Sequence, residues 1–253
     1  MTDHKKNAIL IVSFGTTYPK TREKNISAIR RLVGNVYPDW TVTEAFSSKI
    51  VRAAMKKNEG IEAWSPQEAL ANLQEQGYTH VAVLPTHIID GIENHNLKLA
   101  VEEHRTDFVQ IEVADALLGK PQDYVDVANA LWISLKDEAG DEPLVFMGHG
   151  TEHYANAVYA ALDYRFKDMG HENVIVGTVE GYPEISQVLK QLEKCGPKKV
   201  VIAPLMIVAG DHAKNDMASD EPDSWKTIIS QKGYEVQTVL KGLGEYESIR
   251  HIF

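Results

Sequence analysis

Two stretches of the chain carry one pattern. Gly77-Tyr-Thr-His-Val-Ala-Val-Leu-Pro85-Thr-His-Ile-Ile-Asp-Gly91 lines up with Gly196-Pro-Lys-Lys-Val-Val-Ile-Ala-Pro204-Leu-Met-Ile-Val-Ala-Gly210, and Ile9–Thr16, ending Ser-Phe-Gly-Thr, resembles Leu144–Thr151, ending Gly-His-Gly-Thr. A strand-like run, a proline at its end, apolar residues and then glycine at the same offset is more than any chain of alternating strands and helices shows by default. Internal likeness of this kind constrains the fold to two similar halves.

Eight continuous apolar runs support that division: Ala8–Val12, Trp40–Ala45, His80–Leu84, Gln110–Ala114, Leu144–Met147, Asn173–Thr178, Lys199–Ala203 and Glu235–Val239. Runs of this length without polar alternation mark strands buried on both faces, as in parallel sheets. Between them lie segments of helical spacing, including Thr21–Val33, Pro66–Gln76, Gln122–Leu135, Ala155–Lys167 and Tyr182–Glu193. Strand alternating with helix implies βαβ units and an α/β fold. The 253 residues suffice for two domains of roughly 125 residues each. The expected lobes are residues 1–125 and 126–253, each with a four-stranded parallel sheet flanked by helices, and the last helix is free to pack back on the first lobe. One eight-stranded sheet is the alternative. Two facing lobes form a cleft at the carboxyl ends of their strands, where such folds place ligands.

A formal net charge of −10 argues against a nucleic-acid partner, because phosphate binding needs clustered Lys and Arg. Cys195 is the single cysteine, so no intrachain disulfide and no thiolate-rich zinc or iron–sulfur site can form, and a metal site has to be built from His, Asp or Glu. Its setting, Glu193-Lys194-Cys195-Gly196-Pro197, reads as a helix end with an inert thiol. The start, Met-Thr-Asp-His-Lys-Lys, does not read as a signal peptide. No run approaches the roughly 18 apolar residues that span a bilayer, so no membrane partner and a cytoplasmic location are expected. A homo-oligomer is left open.

The residues suited to chemistry cluster at strand ends. His149 leaves a buried strand between Gly148 and Gly150, which let the backbone turn and a ligand approach closely; the bland reading is a structural strand-end histidine. Glu180 falls where the sixth strand passes into a loop. Glu184, in the first turn of the following helix, is accounted for by the helix macrodipole alone. An apolar run delivers Asp211 and His212 past Gly210, and Asn215 or Asp216 is placed to cap a helix. Adjacent parallel strands lie roughly 4.8 Å apart, so His149, Glu180 and His212 can converge on one ion, and two imidazoles with one carboxylate leave coordination positions open. At the equivalent ends of the first half stand Phe14, Gly15, Thr16, Thr86, His87 and Glu93. Phe14 and Gly15 suit a flat apolar wall for an aromatic ligand, and Phe14 suits the core equally. Lys20, Arg22 and Lys24 read better as a solvated helix face than as carboxylate partners, and His95 and His153 as exposed. Neither a Walker loop, a G-x-G-x-x-G, a His-Glu-x-x-His nor a G-x-S-x-G is present, which weakens nucleotide, metalloprotease and hydrolase readings.

At these motifs the chain resembles the anaerobic cobalt chelatases of cobalamin biosynthesis (the CbiK type), relatives of ferrochelatase among the class II chelatases. The matching stretches are Val12-Ser-Phe-Gly-Thr16, Glu23-Lys-Asn-Ile26, His87-Ile-Ile-Asp-Gly91, Val145-Phe-Met-Gly-His-Gly150, Glu180-Gly-Tyr-Pro-Glu184, Pro204-Leu-Met-Ile-Val-Ala-Gly-Asp-His-Ala213, Asn215-Asp-Met-Ala-Ser-Asp220, Asp223-Ser-Trp225 and Gly242-Leu-Gly-Glu245. The resemblance implies a chelatase fold, Co²⁺ as substrate metal with Fe²⁺ as a second possibility, sirohydrochlorin as the macrocycle, and no organic cofactor. It places the metal ligands at His149, Glu180 and His212, with His149 and Glu180 catalytic. Phe14, Gly15, Thr16, His87, Glu93 and Glu184 are the residues expected against the macrocycle. His149 is expected to serve as base and ligand together, with activity falling below about pH 6 because ligands and base must be unprotonated. The rival reading is a non-catalytic carrier of metal or metal–tetrapyrrole, which would give at most stoichiometric product.

Overall fold

The computed structural model describes residues 5–253. The chain divides into two compact units, one ending at Gly119 and the other spanning Lys120–Ile252. The first contains β1 (Asn7–Ser13), α1 (Pro19–Val36), β2 (Thr41–Phe46), α2 (Lys49–Glu59), α3 (Pro66–Glu75), β3 (His80–Pro85), α4 (Ile92–Glu103) and β4 (Gln110–Val113). The second contains α5 (Pro121–Ala139), β5 (Leu144–Gly148), α6 (Ala157–Asp168), β6 (Val174–Thr178), α7 (Ile185–Cys195), β7 (Lys199–Leu205), α8 (Trp225–Gln231), β8 (Glu235–Thr238) and α9 (Glu247–Arg250).

The sheets are separate and share one topology, β2-β1-β3-β4 and β6-β5-β7-β8, all parallel. All eight apolar runs are strands, and a single eight-stranded sheet is ruled out. β1 from Ala8 onward and all of β5 and β6 are buried, which is why these segments carry no polar alternation. Leu10, Val81 and Ile111 join Leu70, Leu73 and Leu97 in one core; Val145, Ile175 and Ile202 join Val188, Leu192 and Trp225 in the other.

Pro85 and Pro204 sit inside β3 and β7, past where the outer neighbours stop. β3 pairs with β4 only as far as Val83↔Val113, and β7 with β8 only as far as Ile202↔Thr238. Neither proline therefore removes a donor that an outer partner needs. The strand runs on to the ligand-bearing end while its edge neighbour has already ended.

Helix boundaries follow from caps. α1 starts at Pro19, whose missing N–H costs nothing in the first turn. Ser65 and Glu68 form a capping box on α3. α7 closes at Cys195 with Gly196 in the left-handed region, and the thiol is exposed. α8 is capped by Ser224, whose Oγ accepts from the Thr227 N–H at 3.2 Å, so the expected cap at Asn215 or Asp216 is replaced. α9 ends at Arg250 and packs on α5, with Ser134 and Ser248 hydroxyls 2.7 Å apart. The residues that follow, His251-Ile-Phe253, lie past its end. Among the described residues no helix is long and apolar enough to cross a membrane.

Candidate metal centre

Each of the three ligand candidates is delivered by the end of a different strand of the second unit. His149 follows β5 directly. Glu180 lies just beyond β6, and the parallel ladder continues far enough to fix it: Val179 N–H donates to the Gly148 carbonyl at 3.0 Å and Glu180 N–H to the His149 carbonyl at 2.8 Å. The loop then closes on itself, with Thr178 N–H donating to the Pro183 carbonyl at 2.6 Å. His212 comes from farther along, after the Met206–Gly210 lead. That lead is held by Leu243 N–H to the Met206 carbonyl at 2.8 Å and Gly244 N–H to the Ile207 carbonyl at 3.1 Å. A π-type turn, Ala213–Met217, follows His212, with Ala213 and Met217 buried as its anchors. Such turns recur at functional sites because they re-aim one side chain.

The result is convergent. One ligand atom from each of His149, Glu180 and His212 lies within 4.8 Å of the others. The imidazole centroids are 4.4 Å apart at 81°, and His149 Nδ1 is 3.6 Å from Glu180 Oε2. Donors bound to one ion at about 2.0–2.2 Å stand roughly 3–4 Å apart, so small side-chain rotations close the set. The side chains are 45, 56 and 34% exposed, open enough to meet a large planar ligand.

Hydrogen bonds set the tautomers. His149 Nδ1 is 2.9 Å from the Gly150 carbonyl, and a carbonyl only accepts, so Nδ1 carries the proton. His212 Nδ1 is 2.6 Å from Asp216 Oδ2, which holds the proton on Nδ1 there too. Both Nε2 lone pairs are left for an ion. A carboxylate or carbonyl behind a ligating imidazole orients the ring and fixes its tautomer. Asp216, expected as a helix cap, is the residue that orients His212.

The glycines around His149 are required by close approach. Gly150 has φ +84°, and a Cβ there would stand 2.7 Å from Gly181 N and 2.8 Å from Glu180 C. A Cβ at Gly148 would run into the Tyr159 ring. Tyr159 is buried, burial pushes its phenol up to about 12, and its oxygen accepts from the Gly150 backbone. Tyr159 thus pins the turn that carries His149.

The first unit repeats the backbone and changes the side chains. Ser47 N–H donates to the Ser13 carbonyl at 2.9 Å and Ser48 N–H to the Phe14 carbonyl at 3.3 Å, the same ladder that joins Val179 to Gly148 and Glu180 to His149. Phe14 and Ser48 therefore stand where the second unit has His149 and Glu180. Counted from Gly91 and Gly210, Glu93 stands where His212 does. One carboxylate replaces three ligands, so the gathered metal donors belong to the second unit.

The other expected site residues are placed as follows. Phe14 is half exposed, which removes it from the core. Gly15, at φ +100°, is hemmed by Val51 and Phe46. Thr16 is buried, its hydroxyl accepting from Tyr18 N–H at 3.3 Å. His87 is buried, Nδ1 3.3 Å from Asn94 Oδ1, while its Nε2 has no hydrogen-bond partner among the described residues. Burial pushes its pKa down, against the opposing pull of Asn94, Glu93 and Asp90. Glu93 lies half-buried in the first turn of α4. Glu184 is exposed at the start of α7, its N–H donating to Gln187 Oε1 at 3.0 Å. Arg22 pairs with Glu59 rather than lying free on a solvated face. His95 is exposed, but His153 is half-buried, its Nδ1 accepting from Ala155 N–H at 3.2 Å.

Comparison with known proteins gives a family. The model of the cobalt chelatase (CbiK) family matches residues 7–253. The sirohydrochlorin cobaltochelatase of Salmonella typhimurium is 40% identical over 248 residues, covering 98% of this chain and 94% of that protein. Sirohydrochlorin cobaltochelatase CbiKC of Nitratidesulfovibrio vulgaris is 35% identical over 255 residues, covering 98% and 88%. Among solved structures, the sirohydrochlorin chelatase SirB from Bacillus subtilis subspecies spizizenii, in complex with cobalt, superposes with a TM-score of 0.66 at 15% identity, over 98% of this chain and 92% of that one. CbiX, the terminal enzyme of sirohaem biosynthesis in denitrifying bacteria, gives a TM-score of 0.57 at 15% identity, over 97% and 96%. Likeness at that identity concerns the fold.

Proposed function

The chain belongs to the cobalt chelatase (CbiK) family, and from that premise we propose that it inserts Co²⁺ into sirohydrochlorin through His149, Glu180 and His212. The observation that carries the site assignment is the convergence of two imidazoles and one carboxylate at strand ends of a single sheet.

Insertion replaces two pyrrole protons by one divalent ion. The ion is first held by the two imidazoles and Glu180, which leave coordination positions open for macrocycle nitrogens. As those nitrogens take the ion over, His149 Nε2 is released and accepts a pyrrole proton, the task for which a neutral imidazole is suited near pH 7. Its other nitrogen already carries a proton and faces Glu180 Oε2 at 3.6 Å. A proton taken at Nε2 leaves an imidazolium beside the exposed Glu180 carboxylate, which balances its charge until the proton passes to water. The second proton follows by the same route. His and carboxylate ligands suit several divalent ions, and the affinity order does not single out Co²⁺, so the preference for cobalt rests on the family.

Two measurements check this. Purified protein with sirohydrochlorin and Co²⁺ is expected to give many equivalents of product per chain by absorbance; product stopping at one equivalent would replace the enzyme by a carrier. Glu180→Ala and His212→Ala are each expected to raise the KM for Co²⁺ about 10- to 100-fold while the KM for sirohydrochlorin moves less than threefold. Equal effects on both substrates would remove these residues from metal delivery.

A further inference from the structure

The loops that carry His149 and Glu180 leave different strands, and a side chain outside the triad ties them together. Asn156 stands just ahead of α6 and is half-buried. Its Oδ1 accepts from Thr151 N–H at 3.0 Å, in the segment that follows His149. Its Nδ2 donates to the Tyr182 carbonyl at 2.6 Å, in the segment that follows Glu180. Gly181 lies flat against the same amide: a Cβ at Gly181 would overlap Asn156 Oδ1 and stand 2.9 Å from Cγ. One turn farther along the helix, Tyr159 holds Gly150. The start of α6 therefore fixes both ligand loops at once.

We propose that Asn156 is a positioning residue that sets the separation of His149 and Glu180 for holding the ion, acting through the Thr151 and Tyr182 backbones without touching metal or macrocycle. This rests on the assignment of His149 and Glu180 as ligands. A planar amide offers an acceptor to one loop and a donor to the other from two separate atoms held rigidly in one group. Aspartate keeps the shape and the acceptor for Thr151 but presents oxygen to the Tyr182 carbonyl. Alanine removes both bonds. Ligand geometry has to be held to within about 0.5 Å for productive binding, and groups supporting metal ligands typically contribute about 10- to 100-fold in metal affinity or activity.

The test is a cycle of Asn156→Ala, Gly181→Ala and the double variant, with Asn156→Asp as an isosteric fourth protein. Each is assayed for KM of Co²⁺, KM of sirohydrochlorin, kcat, and thermal midpoint. The expected result is a 10- to 100-fold loss of kcat/KM for Co²⁺ in Asn156→Ala and in Gly181→Ala, with the KM for sirohydrochlorin within threefold of the parent. The double variant is expected to match Asn156→Ala alone, because the three atoms nearest a Gly181 methyl all belong to the side chain that is then absent. Asn156→Asp is expected to show the same Co²⁺-selective loss, which carries the test should the alanine variant not fold. A lowered midpoint with the Co²⁺ KM unchanged in folded Asn156→Ala or Asn156→Asp would overturn the proposal, as would fully additive losses in the double variant. Absence of turnover in the parent protein would instead overturn the chelatase reading, so the two failures are told apart.

Discussion

His149→Ala is expected to lower cobalt insertion by about 10³-fold or more while leaving the thermal midpoint nearly where it was. The loss combines removal of a general base, typically 10²–10⁴-fold, with removal of a metal ligand. The fold should survive because the side chain is 45% exposed and its one side-chain hydrogen bond within the unit is to the adjacent Gly150 carbonyl. Surface truncations of this kind usually change stability by no more than about 0.5 kcal/mol. Steady-state insertion measured with circular dichroism melting checks both halves. Retained turnover in a folded variant removes His149 from the mechanism.

Gly150→Ala is expected to be nearly as damaging by a different route. At φ +84° an L-residue carries a penalty of roughly 1–2 kcal/mol. The added methyl would also meet backbone atoms of Gly181 and Glu180, and Thr178 Cβ at 2.9 Å. Backbone cannot rotate aside as a side-chain tip can, so the Glu180 loop has to move away from His149. Insertion is expected to fall about 100-fold, and the melting midpoint to drop by several degrees, which His149→Ala does not produce. Parent-like activity and midpoint together would show that the two loops are not held by this contact.

Much of this was legible in the sequence because burial on both faces leaves a plain record. β5, β6 and β7 read as unbroken apolar runs; His149 and Glu180 fall at or just past the ends of the first two, and His212 follows the third after the Met206–Gly210 lead. The different settings of Glu180 and Glu184 were legible for a related reason: an acid at a helix start has a local explanation, and Glu184 stands at the start of α7 while Glu180 lies beside His149. The repeated proline and glycine offsets foretold two sheets of one topology. Cap assignments were less secure, since Asp216 lies within a π-type turn and spends its carboxylate on His212. Two helices lacked a strong signal: α2 buries only Val51 and Met55, and α4 includes the polar Asn94 among its buried residues.

The supporting residues of the site were not legible. Asn156 precedes an apolar helix, where asparagine is expected as an ordinary cap; its partners, Thr151 and Tyr182, are backbone groups that leave no residue-type signature. Tyr159 reads as one more apolar position of α6. His87 sits at a strand end like His149, yet the structure buries it against Asn94. Sequence position alone does not separate a presented imidazole from an enclosed one. Spacing identifies which side chains reach a strand end, and only the tertiary contacts decide how each is held there.

The most direct measurement is an anomalous difference map at the cobalt edge from crystals of the protein soaked in Co²⁺ without macrocycle. The account predicts one dominant peak within about 2.0–2.3 Å of Nε2 of His149, Nε2 of His212 and a Glu180 carboxylate oxygen. A dominant peak on other side chains, or imidazoles turned apart with no density between them, would contradict it.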